Sequence, residues 1–274
     1  MKIKIKIALI VILMFFSRNL FAQKDSIVNF FDKKGIITKN KEKARSFQII
    51  TKKEDSLWLV RNFRKSGTLY NYSYSISKEN KVKRGKSVFF NKYGKKTGEL
   101  FYDQKGNKQG KSQRWFDNDS LNITGFYLAG KREGIWKAYH YNGKLAARVV
   151  FKNDSVLKTT YYNNNNNNNN TEVVANKEAL KHIKPIFKGG NKKYIKNLKR
   201  LTKKITFKVK GKIIVNYIID VNGTIKDVTI DEKMPEKLKK EIIVFFENLK
   251  GWEPAVYLNR KIPYNFSQPL NFNN

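Results

Sequence analysis

The chain has 274 residues, 40% of them apolar and 14% aromatic, which is enough for two modest cores and too much for wholesale disorder. It contains no cysteine, so a disulfide framework and thiolate metal sites are both excluded. A formal net charge of +35 points either to an anionic partner or to compositional drift, because Lys, Asn and Ile are abundant together.

The distribution of charge is more informative than its total. Residues 177–212 hold fourteen Lys or Arg against one Glu, whereas 213–274 hold eight basic and eight acidic residues. The excess of the C-terminal part is therefore confined to one basic surface.

In chain order, Lys2, Lys4 and Lys6 make a basic start, followed by an apolar run from Ile7 to Phe16 and a polar turn at Ser17, Arg18 and Asn19. Ala22 then precedes Gln23. This pattern predicts a secretory signal peptide over residues 1–22, and hence export to the periplasm or cell envelope. Spanning a bilayer needs ~20 apolar residues, and the run is about half that length. An uncleaved segment would instead anchor the chain in the inner membrane.

From Arg45 to Ser77 the pattern turns strand-like, with aromatic and small polar residues alternating from Leu69 to Ile76. A repeat follows. Gly85, Gly110 and Gly134 are spaced 25 and 24 apart. Five residues after each stands an aromatic (Phe90, Trp115, Tyr139), and seventeen after each stands another (Tyr102, Tyr127, Phe151). Turn residues fall between them at Tyr93-Gly94, Asn118-Asp119 and Asn142-Gly143. Each unit reads as a β-hairpin with one aromatic per strand aimed at a shared core, and stacking makes such hairpins stable. The unit from Gly134 to Leu145 resembles a MORN-type repeat. That resemblance implies a scaffold or binding face and no particular activity.

Asn163 to Asn170 are eight consecutive asparagines, which read as a flexible tether. The expected organisation is a signal peptide at 1–22 and a hairpin-repeat domain at 23–160. A linker at 161–176 then leads to a C-terminal domain at 177–274.

Within that last domain Tyr194, Leu198 and Leu201 recur at helical spacing with lysines between them, predicting an amphipathic helix with a basic outer face. Ile213 to Ile219 is β-branched or aromatic throughout except Asn216, and predicts a strand. Asn222-Gly223 predicts a tight hairpin turn. A return strand to Asp231 follows, with Val228 and Ile230 on one face and Asp227, Thr229 and Asp231 on the other. Pro235 opens a helix carrying Leu238, Ile242, Phe245, Phe246 and Leu249, and Gly251 is the expected stop. A final extended run places Ile262, Tyr264, Phe266, Leu270 and Phe272 on one face.

Catalytic constellations are absent from the sequence. His140 and His182 lack any metal-ligand spacing, and His140 reads as a surface residue of a repeat. Asp227 and Asp231 alternate on a strand as solvent-facing carboxylates do. Asp117 to Ser120 lacks the glycine and glutamate of a calcium loop. Gly189-Gly190 lacks the lysine and hydroxyl residue of a phosphate loop. Trp252 and Pro254 read as core and turn markers. No catalytic, metal or cofactor residue is assigned, and the chain does not read as an enzyme.

Five marks in order carry a family resemblance: Pro185 to Gly190, the strand from Gly211 to Tyr217, Asp220 to Ile225, Trp252 with Pro254, and the closing aromatic strand. Together they resemble the C-terminal domain of TonB-type energy transducers over residues ~185–272. The resemblance implies an α+β domain, two helices packed on a small antiparallel sheet, here following an all-β repeat domain. It further implies a non-enzymatic envelope protein serving TonB-linked transmembrane transport. Its partner would be an outer-membrane TonB-dependent receptor or an adaptor, whose extended segment pairs with the last strand. The positions that map onto that edge are Tyr264, Asn265, Phe266, Ser267 and Gln268, with core packing an equal reading for Tyr264 and Phe266. An energy transducer also needs an inner-membrane helix, so cleavage at Ala22 would leave a binding protein without a motor. The alternative function is a structural scaffold whose basic repeats bind an anionic envelope polymer or lipid, such as lipopolysaccharide or peptidoglycan. No groove-reading motif supports nucleic acid.

Overall fold

The structure is a computed structural model that describes residues 26–162, 171–174, 181–205, 210–230 and 234–273. The expected signal peptide, the asparagine run and Asp231 lie outside the described residues. The described chain forms two compact units. One runs through Ser112 and includes Tyr127–Gly130; the other comprises Gln113–Phe126 and the chain from Lys131 onward.

The first unit opens with β1 (Ser26–Phe31), β2 (Ser46–Glu54), β3 (Leu57–Arg64), β4 (Leu69–Ser75), β5 (Lys83–Phe90) and β6 (Lys96–Tyr102). Each pairs antiparallel with the next. Local chemistry sets the turns. At Asp32, Asn91 and Asp103 the side-chain Oδ1 accepts the backbone N–H groups two and four residues on. The third residue after each is a glycine in the left-handed region, Gly35, Gly94 or Gly106. These donors hold the Asp32 and Asp103 carboxyls below the usual carboxylate range, the strongest being the N–H of Ile36 and of Asn107 respectively.

The buried centre of this unit is unusually polar. Ile50, Val60 and Val88 are accompanied by Ser73, Ser75 and Ser87. A row of amides crosses four strands beside them. Asn29 donates to Gln48 (3.4 Å), Gln48 to Asn62 (2.9 Å) and Asn62 to Asn71 (2.6 Å). Cross-strand pairing in register brings these side chains onto one face, where each amide satisfies the next.

After β7 (Gly110–Trp115) and β8 (Leu121–Leu128), the second unit continues through β9 (Lys131–Tyr139), β10 (Leu145–Lys152), β11 (Ser155–Tyr161) and β12 (Thr171–Val174), again antiparallel. Trp136 lies opposite Val149 and Ala138 opposite Ala147, so large and small buried side chains alternate along the face. The repeat aromatics Trp115 and Tyr139 are only half-buried, and of the predicted pairs Phe151 alone is fully buried in this unit.

Next come β13 (Ile186–Phe187), α1 (Gly190–Lys204), β14 (Lys210–Ile219), β15 (Ile225–Ile230) and α2 (Glu236–Glu247). The chain closes with β16 (Trp252–Glu253), β17 (Ala255–Tyr257), β18 (Arg260–Ile262) and β19 (Tyr264–Asn273). Tyr194, Leu198 and Leu201 of α1 share one core with Leu238, Ile242 and Phe246 of α2 and with Val215, Tyr217, Ile219, Leu270 and Phe272. The α2 helix ends at Glu247 rather than running to Gly251, because the Asn248 side chain and backbone N–H both cap the Val244 carbonyl. The hairpin after β14 is likewise not a two-residue turn on Asn222-Gly223. Asp220 Oδ1 accepts from the Asn222 and Thr224 N–H groups, and Gly223 alone has positive φ. Within the same unit Lys226 pairs with Asp117 at 2.9 Å, and buried Arg260 donates to Asn122 and the Tyr257 carbonyl.

The expected fold class does not hold. The chain is not an α+β domain of TonB C-terminal type, two helices on a small antiparallel sheet, appended to hairpin repeats. It is largely all-β, with thirteen antiparallel strands before the first α-helix and two α-helices among the described residues. Helical periodicity is confined to two segments, whereas β13, β16, β17 and β18 are two or three residues long and leave no alternation to read.

Candidate functional site

The candidate site is the outer edge of the three-stranded sheet, whose strand order is β15-β14-β19. Ile213, Ile214, Val215, Ile218 and Ile219 make β14 a strong strand former and the centre of the sheet. β19 pairs with it over ten residues, from Lys210↔Asn273 to Ile219↔Tyr264, and has no sheet neighbour on its other side among the described residues.

Pro269 fixes which backbone groups face that open side. It pairs with Ile214 in an uninterrupted ladder, although proline has no N–H to contribute. Its nitrogen therefore faces outward. Because the pattern alternates, the N–H and C=O of Asn265 and Ser267 also point outward, while Tyr264, Phe266, Gln268 and Leu270 bond to β14. The side chains follow the pleat: Asn265, Ser267 and Pro269 are exposed, Tyr264, Phe266 and Gln268 half-buried, and Leu270 buried.

The five sequence-predicted positions thus divide into two sets. Asn265 and Ser267 present backbone and side chain to solvent, with Ser267 Oγ also donating to Asn216 Oδ1 at 2.6 Å. Phe266 stacks on Tyr217 with centroids 5.4 Å apart and contacts Trp252 at the same separation. Tyr264 lies against Phe266 and the His182 ring. Core packing is thus what the Phe266 side chain does.

Gln268 belongs to a relay that sequence reasoning missed. Tyr194 OH lies 2.8 Å from Tyr217 OH and donates to Gln268 Oε1 at 3.0 Å, so Tyr217 donates to Tyr194. Gln268 Nε2 in turn donates to the Pro269 carbonyl at 2.7 Å. The relay joins α1, β14 and the edge strand and occupies the acceptor at Pro269. The row of outward N–H donors is interrupted at Pro269, which has none. Spacing alone could not pair Tyr194 with Gln268, which are 74 residues apart.

Burial pushes the Tyr194 hydroxyl up to about 12, partly offset by its hydrogen bond with Tyr217, and pushes Tyr217 higher still. A raised phenol favours the fold in its protonated form. The contribution is complete below the ordinary tyrosine value of 10 and is lost as pH rises through about 12. Urea unfolding across that window should show about 3 kcal/mol of stability disappearing on account of Tyr194. Tyr194→Phe should lower stability by about 1–3 kcal/mol at neutral pH and shallow the alkaline decline. A decline identical in Tyr194→Phe and the parent would assign it to other groups.

The remaining sequence candidates do not assemble into a site. His140 is half-buried rather than a surface residue, and burial lowers its basicity, with Arg260 and Lys144 adding to the effect. His182 is exposed against Tyr257 and Tyr264. Asp227 adopts positive φ beside a register shift in the β14–β15 pair. Trp252 is buried among Phe187, Tyr194 and Phe266, and its carbonyl occupies the space that a Cβ on Gly223 would need. Gly189 and Gly190, both at positive φ, lead into α1. No cluster of three metal-ligating side chains occurs among the described residues, and no helix among them is long and apolar enough to cross a membrane.

No protein-family model matches the chain, and no curated protein does. Among solved structures, it is similar to S. aureus TarM in a mutant complex with fondaparinux, alpha-GlcNAc-glycerol and UDP, at 17% identity and a TM-score of 0.26. A second TarM structure matches at 18% identity and a TM-score of 0.25. Each match covers 44% of this chain and 23% of the TarM chain. The chain thus spans about a quarter of those proteins, and a likeness at that level carries no argument about fold or activity.

Proposed function

We propose that this is a non-enzymatic binding protein of the cell envelope. In this reading β19 accepts an extended segment of an outer-membrane receptor or adaptor by strand addition, as its resemblance to TonB-type transducers implies. The observation that carries the reading is the chemistry of the edge. β19 is a ten-residue edge strand without a single charged side chain, in a chain where 29% of residues are charged. Natural edge strands are commonly blunted with lysine, inward charges or bulges, and an edge left long and neutral invites pairing. Here blunting is limited to Pro269, which interrupts the row of outward donors instead of closing the edge. Main-chain hydrogen bonds from Asn265 and Ser267 supply affinity in such a complex, and pockets for alternate side chains supply specificity.

The test is site-specific photocross-linking in the cells that make the protein. A benzophenone side chain at Asn265 or Ser267 should give adducts with an outer-membrane receptor or an adaptor, identified by mass spectrometry. The same probe at Thr229, exposed on the far strand of the sheet, should give none. Adducts that are absent at β19, or equal at Thr229, would sink the proposal.

A further inference from the structure

We propose that the solvent-facing ridge of α1 is a docking surface for an anionic phospholipid bilayer. The inference is independent of strand addition at β19. The α1 helix carries seven Lys or Arg and no Asp or Glu. Tyr194, Leu198 and Leu201 are its buried stripe. At about 100° per residue, Lys192, Lys196, Lys199 and Lys203 all fall within an arc of about 60° on the opposite side. All four are exposed, and none has a carboxylate within ion-pair distance among the described residues. The other helix is different: Glu236, Glu241 and Glu247 are interspersed with Lys237, Lys239 and Lys240 on α2.

Such a ridge works against the helix that carries it. Lys192 with Lys196, Lys196 with Arg200, and Lys199 with Lys203 are like charges one turn apart, a spacing that destabilises helices. The arrangement is relieved when a negatively charged surface lies along the ridge. Lys181, Lys184 and Lys188, all exposed just before the helix, add to the same cationic segment.

Ile195 decides between a bilayer and a soluble polyanion. It is 42% exposed and lies on the shoulder of the ridge, about 40° around the helix from Lys199. A phosphate polymer would neutralise the lysines and leave Ile195 in water. A bilayer takes both, lysines at the headgroups and the apolar side chain below them, as interfacial helices do. Each lysine near an anionic surface strengthens partitioning about five-fold, so four of them act over two orders of magnitude or more.

The experiment uses the full chain and sedimentation with vesicles of phosphatidylcholine alone or mixed with phosphatidylglycerol, at about 0.1 M salt. Binding is expected to the mixed vesicles only. Replacing Lys192, Lys196, Lys199 and Lys203 with Gln should weaken it by about 100-fold or more. Replacing exposed Lys33, Lys34, Lys53 and Lys105, which removes the same charge elsewhere, should weaken it far less. Ile195→Ser should reduce vesicle binding but leave binding of soluble polyphosphate unchanged. Since every substituted side chain is exposed, unchanged circular dichroism verifies the fold in each variant. No binding to the mixed vesicles, or equal loss from both lysine quartets, overturns the proposal. So does vesicle binding indifferent to Ile195→Ser, which would make the ridge a site for soluble phosphate polymers.

Discussion

Ser267→Pro is expected to abolish the cross-link from Asn265 while leaving the protein folded. The outward-facing N–H of Ser267 makes no bond to β14, so replacing it with a proline nitrogen costs the sheet no ladder hydrogen bond. The residue before it, Phe266, already has the extended backbone that a following proline demands. What is lost inside the protein is the hydroxyl donated to Asn216, worth about 0.5–1.5 kcal/mol. What is lost to a partner strand is the donor at the centre of the Asn265–Ser267 window, and the ring also blocks its approach. A loss of about ten-fold or more in partner capture follows. Ser267→Ala isolates the cause, since it removes the hydroxyl but keeps the N–H and should cross-link normally. Gln268→Pro sits one residue on with its N–H facing β14, and should unfold the edge strand itself. If Ser267→Pro still captures its partner, or Ser267→Ala loses it equally, β19 does not bind by strand addition.

That contrast between neighbouring residues shows what could be read from the sequence and what could not. The period-2 pattern of β19, its lack of charge and Pro269 were all visible in the residues. With the family resemblance they placed the five candidates on one edge strand, but they did not give its hydrogen-bonding parity. Parity came from the ten-residue register with β14, a contact between segments more than forty residues apart. The Tyr217–Tyr194–Gln268 relay and the Asn29–Gln48–Asn62–Asn71 row were illegible for the same reason: each depends on strand register, which a single sequence does not specify. Turns were legible to the extent that their chemistry is local. Gly94 and Gly143 sit at turns as expected, but the dipeptides that end in glycine do not reveal that the Asn91 and Asp220 side chains anchor their turns. The expected class set an α+β domain beside the all-β repeats, whereas the strands from Ser26 to Tyr161, with only two α-helices after them among the described residues, make the chain largely all-β.

Gly125→Ala is expected to be among the most damaging single methyl additions in the second unit, at a cost of about 3 kcal/mol. A Cβ at Gly125 would lie 2.1 Å from Cδ2 of the Trp136 ring and 2.3 Å from Cε2, so the indole has to move. It cannot move freely. Its Nε1 donates to the Phe126 carbonyl at 3.2 Å, and Phe151 holds its edge at a centroid separation of 6.1 Å. Swinging outward would expose a side chain that is now 6% accessible and leave a cavity above Val149. Gly134→Ala makes the comparison. Gly134 has φ of +66° with nothing within 4 Å of its absent Cβ, so alanine there meets only backbone strain, about 1–2 kcal/mol. The repeat spacing singled out Gly134 for its conformation, whereas Gly125 stands outside the repeat pattern and is a glycine for want of space. Trp136→Leu is itself destabilising, but in its background Gly125→Ala should cost far less than it does alone. A double-mutant cycle read by urea midpoints should therefore give a coupling of about 1 kcal/mol or more. No coupling, or equal costs for Gly125→Ala and Gly134→Ala, would mean that the indole does not rest on Gly125 as the structure places it.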